Sequence, residues 1–88
     1  MPRIFLVEDD GNIAKNLTLL LRSEGFGVTH VLTQREALSA LDKENFDLAL
    51  IDISLPDGSG FAVCTAVKEK QKIPVIFLTA SGEPPSLR

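Results

Sequence analysis

Apolar residues fall into four short runs along the chain, separated by three stretches with helical spacing. "RIFLVE", residues 3–8, is an apolar run that closes on acids, the form of a strand buried on both faces. In "NIAKNLTLLLRSEG", Ile13, Ala14, Leu17, Leu20 and Leu21 share one helical face, and Gly25 is placed to end the helix. "FGVTHV" reads as a second strand, shorter and more polar, which suits a sheet edge. Thr33 and Glu36 in "TQRE" have capping-box spacing and open a helix that buries Ala37, Leu38 and Leu41. "FDLALID" is a third strand, almost wholly apolar. Beyond a Pro-Gly turn, "GFAVCTAVKEKQ" predicts a third helix with Phe61, Cys64 and Val67 or Val63 inward. "IPVIFLTA" is the fourth strand, with Pro74 at its first position, and "SGEPPSLR" has no periodicity.

Strand-helix alternation of this kind predicts an α/β fold, a doubly wound parallel sheet with right-handed crossovers. The expected division is one domain over residues 1–80 and an irregular tail over 81–88. In open sheets of this type, ligands bind beyond the carboxyl ends of the strands, where strand order reverses. Asp9, Asp52 and Thr79 all stand at such ends.

Composition narrows the function classes. The 88 residues are 44% hydrophobic and 24% charged, which makes a single small globular domain and not a disordered segment. A net charge of −3 with no run of Lys or Arg argues against nucleic-acid binding by this segment. The single cysteine, Cys64, rules out an internal disulfide or a multi-cysteine metal site, and reads as a small buried helix residue. No apolar stretch approaches the ~18–20 residues of a membrane span. The N-terminus has no signal-peptide pattern, so a cytoplasmic protein is expected. Asn16-Leu17-Thr18 matches a glycosylation sequon by chance inside a helix, and His30 reads as a satisfied or exposed edge-strand residue.

The acids carry the chemistry. With strands one, three and four as neighbours, Glu8, Asp9 and Asp52 converge, with Thr79 beside them. Three carboxylates in one place repel and call for a cation. Mg²⁺ favours one or two carboxylates together with waters and a phosphate oxygen. The expected metal ligands are Asp9 and Asp52 directly, Glu8 through water, and the backbone carbonyl of Ser54. A carboxylate is also a nucleophile toward phosphorus, forming an acyl phosphate. In that reading Thr79 and the backbone N–H of Ala80 bind phosphoryl oxygens. Pro56 and Gly58 shape the adjoining loop, as they would in any strand-to-helix turn. Strand-end acids also occur as solvated groups and helix caps, and the residues alone leave that open.

"VEDD", "LIDISLPDGSG" and "PVIFLTA", in this order and spacing, resemble the receiver domain of two-component response regulators over residues 3–80. The resemblance implies a flavodoxin-like sheet of order 2-1-3-4. It also implies phosphoryl transfer from a sensor histidine kinase to Asp52, with Mg²⁺ held by Glu8 and Asp9 and with Thr79 as the switch hydroxyl. Such a domain is a phosphoacceptor that promotes its own phosphorylation, not an enzyme in the usual sense. Rival chemistries fit less well. A dehalogenase-type aspartyl phosphatase wants a second Asp where this chain has Ser54, and no P-loop is present.

The chain departs from the family pattern at its end. A fifth strand, with the Lys that pairs with the phosphoryl group, has no match here, nor do the last helices. Lys68, Lys70 and Lys72 belong to the third helix and its exit. The fourth strand then becomes an apolar edge, from which either a homodimer, through that strand or by element exchange, or a poorly stable fragment is expected. The alternative is a truncated interaction module without phosphorylation.

Overall fold

The computed structural model describes residues 1–78. Thr79, Ala80 and the tail named above lie outside the described residues. The elements are β1 (Arg3–Val7), α1 (Gly11–Ser23), β2 (Gly27–Val31), α2 (Gln34–Lys43), β3 (Leu48–Asp52), β4 (Ser54–Leu55), β5 (Gly58–Ser59), α3 (Gly60–Lys70) and β6 (Val75–Leu78). Four of the strands form one parallel sheet in the order β2-β1-β3-β6. This is the expected 2-1-3-4 order, with β6 as its fourth strand. β4 and β5 form a separate two-residue antiparallel pair that periodicity did not predict.

Alternation along β1 and β3 divides the core into two layers. Phe5, Val7, Ala49 and Ile51 face α2 and α3, where they meet Ala37, Leu41, Val63 and Val67. Phe46 stacks on Phe5 in this layer, with ring centroids 4.6 Å apart. Ile4, Leu6 and Leu50 face α1, against Ala14. Burial on both faces is why β1 and β3 have almost no polar positions before their terminal acids.

Helix ends follow local chemistry. The Thr33 hydroxyl accepts from the Glu36 N–H, while Glu36 Oε1 accepts from the Leu32 N–H, a capping box that reaches one residue further back than usual. α1 closes in a Schellman arrangement: the Phe26 N–H bonds to the Leu21 carbonyl and the Gly25 N–H to that of Arg22. Gly25 takes the left-handed backbone this requires, at φ 94°.

Two expectations of side-chain direction are corrected. Phe61 is 57% exposed rather than inward, and its ring lies tilted beside that of Phe77, with centroids 5.1 Å apart at 54°. Gly60 is the reason: it is buried against the end of β3, so the inward stripe of α3 runs Gly60, Val63, Val67 and turns Phe61 to the flank. In α1 the inward stripe is Ala14 with Leu17 and Leu21, and Leu20 lies exposed beside it. Cys64 is partly buried and packs against the larger core layer. Among the described residues β6 is the edge opposite β2, with Ile76 52% exposed. The expectation of self-association concerns this strand.

Candidate functional site

Parallel pairing brings the acids together. β1 and β3 are in register through Val7 and Ile51, so each strand's next residue, Glu8 and Asp52, arrives at the same end of the sheet. Asp9 follows directly as the chain turns toward α1. One carboxylate oxygen from each of Glu8, Asp9 and Asp52 lies within 4.8 Å of the others. Glu8 and Asp52 are buried, at 3% and 6% exposure, and Asp9 is open to solvent.

Backbone groups hold the two buried acids in place. Glu8 Oε2 accepts from the Asp10 N–H at 3.1 Å, and Asp52 Oδ1 accepts from the Ser54 N–H at 3.3 Å. These bonds do not offset the burial. Glu8 is pushed up from its ordinary 4.5 to about 7, by burial first and then by the charges of Asp52 and Asp9, against the Asp10 N–H. Asp52 is also raised, by burial first and by Asp9, with the Ser54 N–H opposing. Among the described residues no Lys, Arg or His forms an ion pair with any of the three. An all-oxygen donor set, crowded and short of positive charge, fits a hard divalent cation.

The family model for the response regulator receiver domain matches residues 4–88. The chain belongs to this family. Over 77 residues it is 39% identical to the regulatory protein VanR of Enterococcus faecium, an alignment covering 88% of this chain and 33% of VanR. The sensory transduction protein RegX3 of Mycobacterium tuberculosis is 39% identical over 80 residues, covering 91% of this chain and 35% of RegX3. The receiver thus spans about a third of the length of these curated relatives. Among solved structures, the non-phosphorylated HemR receiver domain of Leptospira biflexa superposes with a TM-score of 0.85 at 36% identity, over 96% of this chain and 68% of that one. The response regulator TrrA of Thermotoga maritima, solved in complex with Mg²⁺-BeF, gives 0.83 at 34% identity, over 99% and 77%.

Of the site residues expected from sequence, this receiver brings Glu8, Asp9 and Asp52 together and places Ser54 on the loop beside them. Thr79 and Ala80 are outside the described residues. Asp10, the last acid of "VEDD", has a different job: its Oδ1 caps α1, accepting from the N–H groups of Asn12 and Ile13. His30 is satisfied, as expected, but by an unforeseen partner: its Nε2 donates to the carbonyl oxygen of Glu8 at 2.8 Å. Lys70 pairs with Asp42 on α2, away from the acids.

Two further features next to the site gave no sequence signal. Gly60 lies so near β3 that a Cβ there would sit 2.1 Å from the Asp52 carbonyl oxygen. Asp57, at the tip of the β4–β5 turn, bonds to the start of α2. The Asp57 contact joins positions more than twenty residues apart, where no local rule points.

Proposed function

We propose that this receiver accepts a phosphoryl group on Asp52 from a phosphohistidine of a sensor kinase in the cytoplasm. The observation that carries the reading is the cluster itself: three carboxylate oxygens within 4.8 Å, two of them on buried residues, at the carboxyl ends of central strands. The Mg²⁺-BeF complex of TrrA supports it, since beryllium fluoride has the shape of a phosphoryl group.

Glu8, Asp9, Asp52 and the Ser54 carbonyl are the residues that would hold a Mg²⁺ ion. The ion supplies the positive charge that lets anionic donor and anionic acceptor meet. An Asp52 carboxylate oxygen attacks phosphorus, the P–N bond to the donor imidazole breaks, and the imidazole leaves with its electron pair and takes up a proton. Glu8, whose Oε2 accepts from the Asp10 N–H, would add its negative charge at the cation. Thr79 and the Ala80 N–H are proposed to bind phosphoryl oxygens in the product.

Phosphoramidate, a small donor with the same P–N bond, tests this. Incubation with Mg²⁺ is expected to leave a hydroxylamine-labile phosphate on the peptide containing Asp52, and none in Asp52→Asn. Phosphate on another residue, or on the Asn variant to the same extent, would remove Asp52 as acceptor.

A further inference from the structure

The loop that follows Asp52 is not held by its own bonds alone. Ile53 and Gly60 close its base through a 2.8 Å backbone bond, and β4 and β5 pair over only two residue pairs. So short a hairpin has little stability by itself. Its tip, Asp57, reaches the first turn of α2, where Oδ1 accepts from the Gln34 N–H at 2.8 Å and Oδ2 from the Arg35 N–H at 3.1 Å. The return bond comes from α2: Gln34 Oε1 accepts from the Ser59 N–H at 3.0 Å. Gly58 lies under that amide so closely that a Cβ would stand 1.7 Å from Gln34 Oε1.

The α2 start shows what Asp57 does for the helix. Three N–H groups there have no partner within the helix, and the Thr33 hydroxyl serves only that of Glu36. Asp57 takes the other two. The Gln34 N–H, and after it that of Arg35, hold the Asp57 carboxyl below its usual range, so the acceptor stays ionised at neutral pH. α1 and α3 are also capped by the residue just before them, Asp10 and Ser59, but only α2 adds a carboxylate from a distant loop.

We propose that Asp57 and Gln34 are positioning residues for the phosphoacceptor site: their two-way clasp fixes the loop that carries Ser54, and through it the Ser54 groups beside Asp52. The inference rests on the reading of Asp52 and its neighbours as a Mg²⁺-dependent acceptor site. In that reading Ser54 would supply its carbonyl as a ligand, and its N–H bonds to Asp52 Oδ1. With the clasp open, the base bond, the short β4–β5 pairing, the Ser54 N–H bond to Asp52 and the buried Leu55 side chain still hold the stem, but nothing among the described residues holds the tip. The groups that support metal ligands without touching the ion typically matter by about 10–100-fold in affinity. Asp57 acts one step further out, at a fully exposed position, so a loss of about 3–10-fold is expected.

The test compares the unaltered chain with Asp57→Ala, Asp57→Asn and Gln34→Ala. Amide hydrogen exchange is read residue by residue, and Mg²⁺ alone is titrated against the amide NMR shifts. A mere helix cap lost in Asp57→Ala speeds exchange at Gln34 and Arg35 and nothing else. The clasp predicts at least tenfold faster exchange at Ser54 and Ser59 as well, with a 3–10-fold weaker Mg²⁺ midpoint. Asp57→Asn keeps one acceptor oxygen and should fall between. Gln34→Ala, which leaves both Asp57 bonds to α2, should free Ser59 and weaken Mg²⁺ in the same direction. Unchanged exchange at Ser54 and Ser59 with an unchanged midpoint overturns the clasp. Should the unaltered chain show no Mg²⁺-dependent shift, the acceptor reading fails, and exchange at Ser54 and Ser59 then decides the clasp by itself.

Discussion

Gly60→Ala is expected to lower stability by about 2–3 kcal/mol and to dislodge Asp52, the upper part of the usual range for overpacking a filled site. The cause is contact, not backbone freedom, since Gly60 has no left-handed φ. A Cβ at this position meets the Asp52 carbonyl oxygen at 2.1 Å and its carbon at 2.9 Å. The obstructing atoms are backbone of β3, which is fixed on both sides by β1 and β6. They cannot swing aside as a side chain would. Gly58→Ala is the internal comparison, because its nearest obstruction is the end of the Gln34 side chain, which can rotate away for the loss of one hydrogen bond. It should cost about 1 kcal/mol. Urea midpoints at unchanged slope measure both. Equal small losses for the two glycines would mean that β3 yields more readily than its pairing suggests.

The second large effect concerns pH. Glu8 titrates near 7 in the folded chain against 4.5 ordinarily. Between those values the folded state binds more protons than the unfolded one, so stability falls as pH rises through the window and the loss is complete above it. Asp52, also raised, acts in the same direction. For Glu8 the full effect is up to about 3 kcal/mol. Without divalent cations the chain should therefore melt at lower temperature at pH 8 than at pH 5.5. Glu8→Gln should remove most of that difference. A cation that binds only the folded form adds about 1.4 kcal/mol at ten times its dissociation constant. Because protons compete for the same oxygens, Mg²⁺ should raise the melting temperature more at pH 8 than at pH 5.5. A melting temperature flat across this range, in both the unaltered chain and Glu8→Gln, would contradict the crowding of these acids.

Much of the site was legible because it depends on strand ends. Once "RIFLV" and "LALI" are read as central parallel strands, their pairing carries Glu8 and Asp52 to one place, whatever the helices do. The direction of Phe61 was not legible in the same way. Spacing alone allows several phases for α3, and the close approach of Gly60 to β3, a tertiary contact, selects the one that puts Val63 and Val67 inward. Likewise "PDGS" reads as a turn, but its attachment to α2 depends on Asp57 and Gln34 meeting across 23 positions, where no periodicity points. Asp10 shows the opposite limit: three consecutive acids look alike in sequence, and only the start of α1 separates the cap from the two that face the site.

Whether these carboxylates form one metal-dependent acceptor site can be read from intact mass. The chain and Asp52→Asn are incubated with a small acyl phosphate, each with Mg²⁺ and with a chelator, after circular dichroism has shown both to be folded. The unaltered chain should gain one phosphoryl group, and only with Mg²⁺. A gain that persists in chelator or in Asp52→Asn, or no gain by the folded chain at saturating Mg²⁺, would contradict it.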